Sequence, residues 1–248
     1  MKNILKLLFL LGIVVYLIFA FFKFAHSGDN AECVGVDIAI SDSTHSGFIT
    51  PAEAERILKS SKQYPVGKIM KDINSKMIEK EMKKNPFIKD AICYKTPANR
   101  VHIIISQRLP MLRIKADNGE DYYVDNRGYV MEPMGYVADL PVVTGNVDKN
   151  FTRRQLLQLG QFLQSSDFWN DQIEQINVTP QQEVDLIPRI GDNIIHMGKP
   201  DSISKKMRNL MAFYEKVMPE VGWNKYSEIN LEHTNQIICT KRSKKRHS

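Results

Sequence analysis

Long apolar runs are nearly absent from this chain: after residue 25 none could cross a bilayer as a helix, which excludes a polytopic helical membrane protein. Cysteine is scarce too. Cys33, Cys93 and Cys239 are widely spaced, odd in number and form no C-x-x-C, so zinc-ribbon and thioredoxin-like readings fall away. An oxidising compartment permits one disulfide but not a dense framework. Cys93 and Cys239 lie in strand-like runs and read as small buried hydrophobes. No G-x-S-x-G and no Gly-rich phosphate loop occurs. The histidines (His26, His45, His102, His196, His233, His247) are isolated, without the H-x-x-x-H spacing of a metal site. Asp117–Asp121 lacks the D-x-[DN]-x-[DN]-G order of a calcium loop and reads as a turn. Paired carboxylates for glycoside cleavage are the one chemistry left open, because the fold sets their geometry. The expectation is a non-enzyme with no cofactor, no metal site and no small-molecule substrate.

What the chain does have is one apolar run at its start. Leu7 to Phe22 carries no charge, and Ile4–Ala25 supplies the roughly 20 residues that a ~30 Å hydrocarbon core requires. Lys2, Lys6 and the terminal amine favour a cytoplasmic N-terminus, here residues 1–3. The remaining mass would then lie outside the cytoplasm, as in a single-pass type II protein. A signal peptide is the rival reading, with Ala25-His26-Ser27 as its cleavage site. Against it stand the length of the apolar core and the bulk of Phe21, Phe22 and Phe24. No lipoprotein box precedes Cys33.

The net charge of +6 is unevenly spread. Residues 1–32 carry +1, 33–107 carry +4, 108–240 carry −4 and the tail 241–248 carries +5. Basicity concentrated in a terminal run reads as a solvated, disordered tail, not as a nucleic-acid surface. Anionic lipid or wall polymer is its other conceivable contact.

After a linker at 26–32, residues 33–107 read as a β-α-α-β-β unit. Val34–Ile40 alternates as a strand. Thr50-Pro51-Ala52-Glu53 is a capping box with proline at the first helical position. Ile73, Met77, Ile78 and Met82 form the stripe of a second helix from about Asn74, stopped at Asn85-Pro86. Phe87–Tyr94 and Val101–Ile105 are strands about a Thr96–Asn99 turn. Residues 108–240 read as mostly antiparallel β with two helices. One is opened by Thr152-Arg-Arg-Gln155 with the stripe Leu156, Leu159, Phe162 and Leu163. The other is capped by Asp201 or Ser202, with Met207, Leu210, Met211, Tyr214 and Val217. Ile173–Val178, Glu183–Ile187 and Asn193–Met197 form a meander, and Tyr226–Leu231 and Gln236–Thr240 close the domain. The fold class is α+β.

Several stretches in order resemble the FtsQ (DivIB) family of bacterial cell-division proteins. Asn85-Pro86-Phe87-Ile88 resembles its N-P-W-V lead-in to the second strand of a POTRA module. Gln107-Arg108-Leu109-Pro110 resembles its E-R-x-P junction, with Gln for Glu. Val124-Asp125-Asn126-Arg127-Gly128 resembles a V-D-x-x-G hairpin, Leu140–Gly145 an L-P-x-x-x-G loop, and Met197-Gly198-Lys199 the end of a meander. The resemblance covers nearly all of 33–240 and implies a POTRA domain at 33–107 followed by a β domain at 108–240. It also implies a scaffold role in the division machinery of the inner membrane, enriched at the septum. FtsB-like and FtsL-like coiled-coil proteins would dock on the last strand of the β domain; FtsK-like and septal synthase proteins would be further contacts. The matching strand here is Tyr226–His233, expected at a sheet edge, with Tyr226, Ser227, Glu228, Asn230, Glu232 and His233 as contact residues. Ile229 and Leu231 share its other face. The family's acidic-apolar-Arg-Tyr pattern appears as Asn230-Leu231-Glu232-His233, a departure that bears on partner choice. Two other classes fit less well: a POTRA-bearing translocation scaffold, which would carry tandem modules and a barrel, and an extracytoplasmic wall hydrolase.

Overall fold

A computed structural model describes residues 2–25, 30–41, 48–133, 135 and 137–243. Met1, linker residues 26–29 and tail residues 244–248 lie outside the described residues. Helix α1 (Lys2–Ala25) opens the chain. Its described side chains from Phe9 to Phe21 are almost all exposed. Among the described residues no helix is long and apolar enough to cross a membrane. Side chains along α1 are described without a break over 9–21, about 13 residues or ~20 Å of helix. The chain divides into two units after Arg108.

The first unit follows the expected order. Strand β1 (Gly35–Ile40) is followed by α2 (Pro51–Ser60), a single 3₁₀ turn (Met70–Asp72), α3 (Ser75–Met82), β2 (Ile88–Lys95) and β3 (Arg100–Gln107). Thr50 caps α2 by accepting the Glu53 N–H at 3.1 Å, and Asn74 caps α3 by accepting the Met77 N–H at 3.1 Å. The sheet order is β1-β3-β2, with β1 parallel and β2 antiparallel to β3. Ala91, Cys93, Val101, Ile103 and Ile105 meet Ala54, Leu58, Ile78 and Met82 in one core, all buried. Met77 departs from the expected stripe and points to solvent, 40% exposed.

Motifs far apart in sequence meet at the base of this unit. The Asn85 carboxamide accepts the Phe87 N–H at 2.9 Å, and Phe87 is fully buried against Phe48. Arg108 then binds both neighbours, its N–H to the Phe87 carbonyl (2.7 Å) and its Nε to that of Pro86 (3.1 Å).

The second unit is one nine-stranded sheet. Its strands are β4 (Pro110–Ala116), β5 (Asp121–Asp125), β6 (Val130–Met131), β7 (Val142–Gly145), β8 (Ile173–Val178), β9 (Val184–Pro188), β10 (Ile194–Gly198), β11 (Tyr226–Asn230) and β12 (Ile238–Lys241). They lie in the order β12-β11-β10-β9-β8-β7-β4-β5-β6. The expected antiparallel meander β8-β9-β10 is present, but β4–β7, β7–β8 and β10–β11 are parallel pairs. Helices cover one face. Buried Leu112, Ile114, Val143, Ile176, Leu186, Ile195 and Ile229 pack with Leu156, Leu159, Leu163, Met207 and Leu210. At ~1.5–3 kcal/mol per buried aliphatic side chain, this face is the main source of the domain's stability.

Two helix starts differ from the sequence expectation. The cap of the first is Asp148, accepting the Phe151 N–H at 2.6 Å, and not Thr152. Lys149–Phe151 (α4) passes through a π turn (Thr152–Leu156) into α5 (Leu157–Gln164), with Thr152 buried inside and donating to the Asp148 carbonyl at 2.8 Å. An earlier carboxylate competes better for the free amides than a hydroxyl already bonded to the preceding turn. Helix α7 (Ile203–Lys216) begins after Ser202 at φ +48 with no side-chain cap. Lys206 does the tying instead: it is buried and donates to the carbonyls of Met197 (2.9 Å) and Lys199 (2.8 Å). Two short helices, α6 (Asp167–Gln172) and α8 (Met218–Val221), add to the two expected.

Candidate interaction surface

Sheet edges and uncovered faces are where such a molecule can meet a partner, since an unpaired strand presents a row of free backbone donors and acceptors. The expected edge strand is not at an edge. Strand β11 pairs in parallel with β10 (Ile194↔Glu228, Ile195↔Ile229, His196↔Asn230) and antiparallel with β12 (Glu228↔Thr240, Ile229↔Cys239, Asn230↔Ile238). Its backbone is therefore used on both sides. Of the expected contact residues, Tyr226 packs at a tilt against Phe213 (5.9 Å between ring centroids), and a register shift separates it from Glu228. Ser227 Oγ donates to the Thr240 carbonyl at 3.3 Å. Glu228 is exposed on the face away from the helices, and the Asn230 carboxamide accepts the Glu232 N–H at 2.8 Å. Glu232 and His233 are past the strand, in a turn pinned by Asn209 Nδ2 to the Thr234 carbonyl (2.9 Å). Ile229 and Leu231 are buried, as their shared face led one to expect.

The physical reason is the crossover. Helix α7 carries the chain from the end of β10 to a strand parallel to it, so β11 takes the place beside β10. The turn after Asn230 then folds β12 onto its far side. Alternation in a sequence reports which side of a strand is buried, not how many neighbours it has.

Strand β12 is consequently the free edge. Ile238 is 51% exposed, Thr240 and Lys241 are exposed, and Cys239 turns towards the core, where burial pushes its thiol pKa up. The opposite edge, β6, is only two residues long with Met131 buried, a poor template for pairing.

The face away from the helices is polar. One transverse row runs Lys115, Thr144, Asn177, Asp185, His196, Asn230, Ile238 across seven strands. Asp185 Oδ1 meets His196 Nδ1 at 2.7 Å within it, and Gln175 Nε2, from a neighbouring row, donates to Thr144 Oγ1 at 2.8 Å. Arg113 forks onto Asp121 (3.1 and 3.0 Å), which holds the Asp121 carboxyl below its ordinary pKa, and lies 5.3 Å over the Tyr123 ring.

On the first unit the outer sheet face carries a second network. Arg100 forks onto Asp37, with Nε to Oδ2 at 2.7 Å and Nη2 to Oδ1, and His102 Nε2 lies 2.9 Å from the same carboxylate. Gly35 makes room for it: a Cβ there would sit 2.5 Å from the guanidinium. Tyr94 stacks on His102 at 5.4 Å. The outer edge of β2 is occupied, since the Cys93 N–H donates to Glu79 on α3 at 2.8 Å and the Ala91 N–H to its neighbour Asp90 at 3.0 Å.

The sequence motifs themselves turn out to be corners. Asp125 accepts from Arg127 (2.9 Å) and Tyr129 (2.8 Å) to close a turn at Gly128, and Gly145 ends β7 at φ +91 against Val178. They position strands. Among the described residues no group of three or more metal-ligating side chains is brought together.

Comparison with known proteins divides the chain at the same place. A family model described as a POTRA-like domain matches residues 31–106. No curated protein matches the chain. A second family model, described as FtsQ/DivIB, C-terminal related, matches residues 109–240, more than half of the chain, and the chain therefore belongs to the FtsQ/DivIB family.

Proposed function

We propose that the chain is a non-enzymatic scaffold of the bacterial division machinery, held at the membrane by α1 and capturing a partner strand on the outer edge of β12. The observation that carries the reading is that edge. It is the longer of the two edges in the sheet, it is unpaired among the described residues, and it exposes Ile238 beside Thr240 and Lys241. Main-chain bonds to an added strand supply affinity, and the side chains of alternate residues supply choice of partner. Membership of the FtsQ/DivIB family supports a partner of the division apparatus, with an FtsB-like segment as the first candidate. The membrane role is supported by the sequence of Ile4–Ala25 and by the row of exposed side chains from Phe9 to Phe21, which water would penalise heavily. A cytoplasmic N-terminus places both folded units outside the inner membrane.

Two measurements test this. Depletion of the chain from growing cells should block septation while elongation continues, giving filaments; normal septation overturns the role. For the edge, proline is placed singly at Cys239 and at Thr240 in the full-length chain. Adjacent residues of a strand direct their N–H groups to opposite sides, so one of the two removes only an outward donor. That variant should keep its melting behaviour and lose partner capture about tenfold or more. Undiminished capture by it overturns the assignment of β12.

A further inference from the structure

The described chain resumes at Asn30, a few residues after the end of α1. Five residue steps separate Ala25 from Asn30, a reach of at most ~18 Å. From there the backbone is already tied down. The Met70 N–H donates to the Ala31 carbonyl (2.8 Å), Cys33 N–H to Lys68 (2.8 Å) and Gly67 N–H to Cys33 (2.9 Å), with Glu32 paired antiparallel to Ile69. Residues 31–33 and 67–70 thus form a short ribbon at the point where the chain joins the module. The neighbouring turn, Pro65–Lys68, is closed by the Lys68 N–H on the Pro65 carbonyl (3.1 Å), with Gly67 at φ +82 supplying the left-handed residue.

This segment has a distinct surface. Between Lys62 and Lys71 there are three lysines (Lys62, Lys68, Lys71) and no acid; Asp72 follows it and Glu32 lies across the ribbon. All three lysines are exposed, and none has an ion-pair partner among the described residues. Lys68 Nζ donates only to the Lys62 carbonyl, at 2.8 Å. Elsewhere in the unit Lys59, Lys83 and Lys84 are paired with Glu55, Asp90 and Glu81, whereas Lys76, Lys80 and Lys89 are exposed without an ion pair among the described residues but lack the reach to the end of α1 that the ribbon gives this segment. Between the free lysines, Val66 and Ile69 expose apolar side chains, 37% and 38% respectively.

We propose that Lys62–Lys71 is a lipid-facing surface, its lysines gathering anionic phospholipid headgroups while Val66 and Ile69 enter the interface. The inference rests on the reading of α1 as a membrane anchor. The short tether holds the segment within a few residues' reach of the bilayer, so contacts too weak to bind a membrane alone become effectively intramolecular. Unpaired lysines near an anionic surface are attracted within about a Debye length, and small apolar groups among them add burial at the headgroup level.

The test uses the full-length chain in nanodiscs of phosphatidylcholine, with or without roughly 30% phosphatidylglycerol, a charge density sufficient for such attraction. An amine-acylating reagent that does not cross membranes labels the lysines, and mass spectrometry reads the rate at each. Lys62, Lys68 and Lys71 should label about threefold or more slowly in anionic discs, while Lys115 and Lys216, exposed in the other unit, label equally in both. Lys68→Glu should bring Lys62 and Lys71 back towards their rates in neutral discs. Equal rates at all five lysines, in chain that co-elutes with discs, overturn the lipid surface and leave the anchor standing. Chain that fails to enter discs at all overturns the anchor, and the lipid surface with it.

Discussion

At Gly145 and Gly67 the same left-handed backbone has two different costs. Both have positive φ, +91 and +82, but a Cβ on Gly145 would sit 2.2 Å from the Val178 carbonyl oxygen, whereas one on Gly67 would meet nothing within 4 Å. Gly67→Ala should therefore cost about 1 kcal/mol for the conformation alone. Gly145→Ala should cost roughly 3 kcal/mol or more, because the neighbouring strand must move. Urea unfolding measures both, and similar midpoints for the two would show that β8 yields easily. Tyr214 offers a different probe. Its hydroxyl is buried with no hydrogen-bond partner among the described residues, and the nearby Gln172 side chain offsets part of the burial effect on its ionisation. Burial pushes its pKa up to about 12 from an ordinary 10.0. The unfolded chain ionises first, so this contribution to stability is complete below pH 10 and is lost between about 10 and 12, up to ~2–3 kcal/mol. Tyr214→Phe should flatten that alkaline limb and be neutral or slightly stabilising at pH 7, since no bond is lost. On the acid side, the Arg100 guanidinium holds the Asp37 carboxyl below its ordinary 3.8. Its stabilisation is present above that value and disappears as pH falls through the lower folded one, so Asp37→Asn should shallow the acid limb below about pH 4.

At the scale of elements, β11 and β12 separate folding from docking. Ile229 is fully buried, and Ile229→Ala should lower stability by ~2–5 kcal/mol in a thermal or urea melt. Ile238 is half exposed at the edge, so Ile238→Ala should cost well under 1 kcal/mol while weakening partner capture. A large loss of stability at Ile238 would show that the edge is covered by the chain itself. Much of this was legible beforehand: Thr50 and Asn74 announce helices, Asn85-Pro86 stops one, and Phe87–Tyr94 and Val101–Ile105 read as strands about a turn. Neighbour order was not legible. Nothing local to Tyr226–Asn230 says that it has strands on both sides, because pairing is decided by where α7 delivers the chain. The displaced start of α4 was hidden for a similar reason, since Asp148 and Thr152 are both good caps and only the packing of Phe151 and Thr152 chooses between them.

For the molecule as a whole, the full-length chain should sediment with membranes and resist alkaline carbonate extraction; release into the supernatant would remove α1 as an anchor. The α+β character and the two-part division could be read from the sequence, through motifs that mark corners. The candidate docking edge could not, because it is a property of the finished nine-stranded sheet. That sheet also has an order of assembly built into it. Strand β7 stands between β4 and β8 and is parallel to both, Arg113 lying opposite Val142 and Val142 opposite Gln175. The hairpins β4-β5-β6 and β8-β9-β10 can each form from local contacts, but only β7, closing two loops of about thirty residues, joins them into one sheet. Non-local closure of this kind is slow and belongs to the rate-limiting step. Val143→Ala should then chiefly retard refolding, while Ile229→Ala, at a strand added later, should chiefly hasten unfolding. Until β7 docks, β4 and β8 each present one unpaired edge to water, so the interval before closure is when newly made chains are most exposed to mispairing with one another.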